Sequence, residues 1–458
     1  VSAPLEPTPP GVATVPGCDG AAGAPLPVVL CVDVEPDLRV VDPRRPPDWV
    51  GFERTVEDLA DFRSRIEDAT GRPARFAWFL RMDTQIEEVY GAAEWVAVRH
   101  APQIRAVEAA GDAIGLHVHP WRWDGVRGAW VVDYADRRWG ARCVRTAFTA
   151  FARHFGRPCR AVRFGDRWMN DRLLALAERL GARVDLTAEP GRVHEHLPET
   201  VIGASPDFSA TPRGPYRPSR WRHQRPGRWF PRRLWMLPLS TGRLEWGLRV
   251  MESRALRAPE ATPPAGDACE GWIDAADGHA ISGWVCDRRA PDRVVEVEIW
   301  DGDRPIALLP AGLYRPDLAD AGMGDGRHAF RFPIAHRLAD GREHALSVRV
   351  AGTGLALRGA PVTIAGRSDG ADGVGEWLNL DLERDAAILC ALAEALLTTH
   401  PAPCLALVVR SGSAVNSHTR GSVQQALGWL ARHARATGFA FVTPADAVRM
   451  VDRRATLS

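Results

Sequence analysis

The sequence predicts an α/β fold interrupted by an inserted all-β module, and three observations lead there. Short apolar runs alternate with amphipathic helical patterns from residue 25 to 255, the signature of strands wound with helices. Over 266–366 the pattern changes to short alternating runs with turn dipeptides such as DG, which reads as a small β-sandwich. From 372 the helix-and-strand pattern returns in a piece too small to fold alone. A discontinuous α/β domain, 25–255 plus 372–458, carrying the β-module and preceded by a disordered segment over 1–24, is the economical architecture for 458 residues, more than one compact core usually holds.

Taken in order, residues 1–24 are rich in Pro, Gly and Ala and cannot bury enough apolar surface to fold. The runs PVVLCVDVE (27–35), RFAWFLRMD (75–83), AIGLHVHP (113–120), RAVRFGD (160–166) and RVDLT (183–187) read as strands. Several are apolar on both faces, as buried parallel strands are. Between them Asn170 caps a helix that carries Leu173, Leu176, Ala177 and Leu180 on one face and ends at Gly181. The segment 203–233 is a long Pro/Arg/Trp loop without periodicity, after which LWMLPLS (234–240) is strand-like again. A linker, RAPEATPPAGDAC, leads into the β-module, and GRSDGADGVGE leads out of it. CLALVVRS (404–411) is a buried strand, SVQQALGWLARHARATG an amphipathic helix, and FAFVTPADAVRMV a strand and a helix with Pro444 at its first position after Thr443. The alternation fits an α/β barrel or a doubly wound sheet.

Composition excludes little but narrows the partners. The 58 basic and 57 acidic residues leave a net charge of +1, so no general attraction to nucleic acid or an anionic membrane is expected. Every basic side chain other than histidine is arginine, a compositional bias that lowers the weight of any single arginine. The eight cysteines are scattered, which suits a reducing compartment; Cys269 and Cys286 fall in one short module and could pair, although two separate thiols is the favoured reading. No signal-like start and no run approaching ~20 apolar residues is visible, so a soluble, cytoplasmic protein is expected.

Strand alternation puts Asp33 and Glu35 on one side at the carboxyl end of a buried strand, and His117 and His119 together at another carboxyl end. The carboxyl edge of such sheets is where sites form. Buried carboxylates and imidazoles need partners, and one divalent cation would serve all four. Two histidines and a carboxylate suit zinc, with manganese, cobalt or iron as alternatives, and a second carboxylate would be the base for a bound water. Arg81 and Asp83 lie at the right edge to touch substrate or to pair with each other. Asp185, with Thr187 on its face, ends another strand and is a further lining candidate. His194 and His196, in a loop-like context, read as solvated. Trp221 and Trp229 could stack on sugar rings or anchor an exposed loop.

These residues resemble the NodB-type polysaccharide deacetylases, carbohydrate esterase family 4. VDVE stands where that family has its Asp-Asp strand end, HVH where it has its histidine pair, and RFGDRW (163–168) where it has Arg-x-x-x-x-Trp. RFAWFL and the closing FAFVTPADAVRMV are similar to its second strand and its final strand and helix. The resemblance covers both α/β pieces. It implies a distorted (β/α) barrel and a metal-dependent hydrolase that removes acetyl groups from N-acetylated sugars in surface-polysaccharide metabolism. It also implies Asp33 as catalytic base, Glu35, His117 and His119 as metal ligands and Arg163 holding the base; Trp168, at the end of the matching motif, joins Arg81, Asp83 and Asp185 as a candidate near substrate.

The sequence departs from the family twice. The histidine pair is spaced i+2 rather than i+4, and Arg410 stands where a late-strand histidine would protonate the leaving amine. Arginine cannot donate that proton, although it could stabilise an oxyanion; His418 lies near but off the pattern. The rival reading is therefore a glycan-binding or assembly protein that keeps the fold without turnover. An iron oxygenase ranks last, because its all-β jelly roll is missing. The β-module resembles a sandwich repeat of bacterial surface-glycan enzymes, including glycosyltransferases.

Overall fold

The computed structural model describes residues 25–38, 41, 44–193, 201–203, 206–257, 268–277, 280–334, 341–365 and 377–457. The expected disordered start, the tract that follows the β-module, and His194 and His196 lie outside the described residues.

An eight-stranded parallel sheet organises the α/β part. In spatial order its strands are Leu405–Arg410, Leu26–Val34, Ala77–Arg81, Ala113–Val118, Ala161–Phe164, Val184–Asp185 and Trp235–Met236, with Phe439–Phe441 also paired to Leu26–Val34. The runs RVDLT and LWMLPLS give strands of only two residues. Backbone hydrogen bonds nonetheless continue the ribbon, from Leu237 N–H to the Asp185 carbonyl and from Leu239 N–H to the Ala188 carbonyl. The sheet curls until its ends meet: Ser240 N–H bonds to the Ala406 carbonyl at 2.9 Å, and Val408 N–H to the Leu380 carbonyl at 3.0 Å.

The curl gives the sheet an inside. Val29, Cys31, Phe79, Ala161, Val184, Leu186, Leu239, Ala406 and Val408 form one buried apolar cluster, which Ala447 and Val448 of the closing helix Pro444–Leu457 join. The outer faces of the strands join the main core with the helices, for example Val28, Leu30 and Val32 against Phe52 and Phe62 of Val50–Thr70. Period-two alternation carries each inward column one step further along its strand. Cys31 is followed by Asp33, Phe79 by Arg81, Ala161 by Arg163 and Val408 by Arg410, and His117 follows Gly115 in the same way. Five ionisable side chains thus crown an apolar plug at the carboxyl edge.

Between Cys269 and Ala365 the chain forms two four-stranded antiparallel sheets. Ile281, Val285 and Phe330 of one and Val297, Ile299 and Val348 of the other belong to the same buried apolar cluster. The segment is not wholly without helix: Pro316–Asp320 forms a single short turn, started by a proline at its first position. When the chain returns, Trp377–Asn379 pairs antiparallel with Thr241–Arg243, beside the point of departure. Among the described residues no helix is long and apolar enough to cross a membrane.

Candidate metal centre

The strand carrying Asp33 lies between those carrying Arg81 and Arg410, with Asp33 in register with Arg410, and Arg81 in register with His117. His117 is likewise in register with Arg163. Two residues past the inward positions of their strands, Glu35 and His119 reach the same space. Glu35, His117 and His119 are all buried and offer three ligand atoms within 4.8 Å of one another.

Hydrogen bonds fix which imidazole nitrogens face inward. His117 Nδ1 lies 2.9 Å from the Arg163 carbonyl, which can only accept, so Nδ1 carries a proton and, in the neutral imidazole, Nε2 holds the lone pair. His119 Nδ1 lies 2.7 Å from Asp166 Oδ2, and the same logic frees its Nε2. The Trp121 indole N–H reaches the same Asp166 oxygen at 3.0 Å. Donation from that indole to His119 Nδ1, 2.7 Å away, would instead leave the carboxylate facing a lone pair. The two Nε2 atoms stand 2.9 Å apart, with Glu35 Oε1 3.3 Å from His117 Nε2 and Glu35 Oε2 3.7 Å from His119 Nε2. Three acceptors converging at this depth repel one another unless a proton or a metal cation sits among them. Tetrahedral bonds of ~2.05 Å to zinc require ligand separations of ~3.3 Å, and the three distances bracket that value.

The electrostatics agree with the donor set. Burial alone would push the Glu35 carboxyl up, but with the imidazoles protonated, as they can be without an ion, the His117 hydrogen bond and the charges of the histidines and Arg81 outweigh it and hold the carboxyl well below its ordinary range; a cation would take the place of those protons. Burial, reinforced by the positive Arg81, pushes the His119 imidazole down, towards the neutral form that binds metal.

Around this group the other carboxylates and arginines have separate tasks. Arg163 Nε donates to both oxygens of Asp33 at 3.0 Å, and Asp33 Oδ1 is 3.5 Å from His117 Nδ1. Asp33 is thus adjacent to the ligand set without being part of it. Arg81 pairs with Asp83 through Nε at 2.6 Å and NH2 at 3.1 Å, and its NH1 is 3.7 Å from Glu35 Oε2. Asp83 also caps the helix Thr84–Tyr90 and accepts the His119 backbone N–H at 3.0 Å. Both residues are almost fully buried, and their contacts in the site are to Glu35 and to the His119 backbone.

Two expected site residues are placed elsewhere, and a third is at the edge but engaged. Asp185 lies between Val184 and Leu186, which both face inside, so alternation sends it to the helix side. There it is fully buried with its oxygens on the Thr187 N–H and hydroxyl at 2.9 and 3.1 Å, and burial pushes its carboxyl up to about 7. Trp168 is buried and donates its indole N–H to the Val118 carbonyl at 2.6 Å, tying down the end of the histidine strand. Arg410 reaches the correct edge, but its guanidinium is bound to the Glu383 carboxylate through Nε at 2.9 Å and through NH2.

Four contributors were not singled out by the sequence reading. Asp166 orients His119 from a left-handed backbone, φ 48°, a conformation that costs energy and clusters at working sites. Gly165 leaves room for the ring, since a Cβ there would lie 2.0 Å from His119 Nε2. Ser411 bonds both the N–H and the carbonyl of Glu35, at 3.1 and 3.2 Å. Glu383 neutralises Arg410. Asp166 and Gly165 both lie inside the RFGDRW motif, where the signal was available.

No family model and no curated protein matches the chain. Solved structures do. A protein of Mycobacterium smegmatis assigned to the polysaccharide deacetylases aligns over 95% of this chain and 93% of its own, at 12% identity and a TM-score of 0.39. One from Bordetella bronchiseptica, assigned to the polysaccharide deacetylases and to O-antigen biosynthesis, aligns over 46% and 57% at 14% identity and a TM-score of 0.21. A GH57 branching enzyme from Thermococcus kodakaraensis aligns over 93% and 71% at 10% identity and a TM-score of 0.38. Likenesses this distant select no activity, and the function is argued from the residues.

Proposed function

We propose that the chain is a metal-dependent hydrolase of the polysaccharide deacetylase type, removing acetyl groups from N-acetylated sugars in surface-polysaccharide metabolism. The observation that carries the reading is the convergence of His117 Nε2, His119 Nε2 and a Glu35 carboxylate oxygen at separations of 2.9 to 3.7 Å beside an Arg163-held Asp33. On this reading Glu35, His117 and His119 hold one divalent ion, zinc by donor set, with manganese, cobalt or iron as alternatives. The bound ion would polarise an acetamide carbonyl and lower the pKa of water at the open position. Asp33 accepts the proton of that water, and Arg163 fixes its carboxylate in the orientation to do so. The chain-level architecture that goes with this is a distorted barrel, 25–255 plus 372–458, with the two sheets of 266–366 inserted as a sandwich.

Arg410 cannot protonate the leaving amine, and its bond to Glu383 keeps it charged, so the proton that Asp33 takes from the water is the one returned to the nitrogen as the C–N bond breaks. Glu383 takes its Nε and NH2 and leaves NH1 on a side chain that is 43% exposed, so on this reading Arg410 can still offer a donor to a substrate oxyanion. The test is acetate release from N-acetylated oligosaccharides by the metal-loaded protein, wild type against Asp33→Asn. Release that disappears in Asp33→Asn with the metal retained supports the hydrolase. No release from any glycan, with glycan binding intact, would instead assign the chain to the non-catalytic binders.

A further inference from the structure

The near-zero net charge of the whole chain conceals a local imbalance. Between residues 206 and 233 stand eight arginines and a single acidic residue, Asp207. Arg217, Arg220, Arg222, Arg225, Arg228 and Arg233 are exposed. Among the described residues none of these six forms an ion pair, in contrast to Arg232, which reaches Glu178 at 3.2 Å.

The same segment exposes its largest apolar side chains. Trp221 is 69% exposed, Trp229 86% and Phe230 59%, and Trp221 and Phe230 meet edge to face with ring centroids 6.0 Å apart. Leaving three large aromatics in water at one spot is costly, and such a patch marks an interaction surface.

The segment is built to present them. Its backbone folds on itself through Ser219 N–H to the Arg225 carbonyl, Gly227 N–H to the Arg217 carbonyl and Arg232 N–H to the Pro218 carbonyl, at 2.8 to 2.9 Å. The Tyr216 hydroxyl locks the interior by donating to the His223 carbonyl at 2.6 Å. His223 N–H bonds to Asp171 at 2.7 Å. Asp171 opens the helix Asp171–Leu180, which follows the carboxyl end of Ala161–Phe164. The patch therefore lies beside the same sheet edge as the candidate metal centre.

From this combination we infer that residues 217–233 form a docking surface for an anionic phospholipid membrane. Tryptophan and phenylalanine fit the boundary between headgroups and acyl chains, while a surround of arginines complements anionic headgroups. An acidic glycan or a single-stranded nucleic acid could pair with the arginines and stack on single rings, whereas three clustered aromatics, Phe230 among them, are buried together most fully in the apolar boundary of a bilayer. The inference does not depend on the hydrolase reading.

The test is co-sedimentation of the full chain with vesicles of phosphatidylcholine alone and with about a third phosphatidylglycerol. Binding to the anionic vesicles, weak binding to the neutral ones, and loss of binding in Trp229→Ala/Phe230→Ala are expected. Arg220→Gln/Arg228→Gln should weaken binding roughly thirtyfold, from about 1 kcal/mol per arginine at 1.4 kcal/mol per tenfold. All these side chains are exposed, and unchanged thermal melts would confirm that the variants fold. Absence of binding to anionic vesicles, or equal binding by Trp229→Ala/Phe230→Ala, would overturn the proposal. So would capture of an acidic polysaccharide or RNA tighter than that of the anionic vesicles, whether or not the aromatic substitutions weaken it.

Discussion

Gly165→Ala is the smallest change that should dismantle the metal centre. The backbone at Gly165 lies outside the left-handed region, so alanine fits the main chain, and the conflict is with one side chain. An added Cβ would stand 2.0 Å from His119 Nε2 and 2.2 Å from both neighbouring ring carbons. An ordinary contact is about 3.5 Å, so the ring must retreat by roughly 1.5 Å. That displacement breaks the 2.7 Å bond to Asp166 and takes Nε2 away from its place opposite His117. Overpacking of this kind costs about 1–3 kcal/mol of stability. Loss of outer-shell support alone costs 10–100-fold in metal affinity, and withdrawal of one of three ligands should exceed that. Competitive zinc titration against a chromophoric chelator, alongside a melt to confirm folding, measures both effects. A folded Gly165→Ala protein whose zinc affinity stays within threefold of wild type would refute the placement of His119 as a ligand.

Other consequences follow from the same geometry. Asp166→Asn keeps the shape but weakens the hold on the His119 Nδ1 proton, so metal affinity should fall about 10–100-fold; an unchanged affinity would show that Asp166 does not act through His119. Asp185 supplies a stability prediction with a definite sign. Its folded carboxyl titrates near 7 and its unfolded one near 3.9, so its contribution is complete below about pH 4 and is lost as pH rises from about 4 to 7. Asp185→Asn should flatten the fall in melting temperature across that window, and a variant profile parallel to wild type would remove Asp185 as the cause. Truncation of the buried Trp168 to alanine should cost about 3–5 kcal/mol in chemical denaturation. A loss below about 1 kcal/mol would show that its indole bond to Val118 supports little.

The sequence made the carboxyl-edge residues legible because each follows an apolar inward column: Cys31 before Asp33, Phe79 before Arg81, Ala161 before Arg163. Asp185 was misplaced for a related reason. Its strand is apolar on both sides, so parity alone could not tell which face of RVDLT turns inside until Val184 and Leu186 were seen in the interior cluster. Asp166 escaped because its role depends on a left-handed turn after the strand, which leaves no periodic trace. Arg410 was found at the expected strand end, yet its partner Glu383 comes from 27 residues earlier, beyond any local pattern. The i+2 spacing of the histidines brings their Nε2 atoms to 2.9 Å because alternation puts both rings on one face of the strand end. His119 leaves the ladder after Val118 and is held by Asp83 and Asp166.

The central claim is that Glu35, His117 and His119 hold one metal ion. Elemental analysis of untagged protein, loaded with zinc and freed of excess, tests it most directly. The account predicts about one zinc per chain in the wild type and almost none in folded His117→Ala/His119→Ala. Wild-type protein that retains no divalent metal, or a double variant that still holds one equivalent, would contradict it.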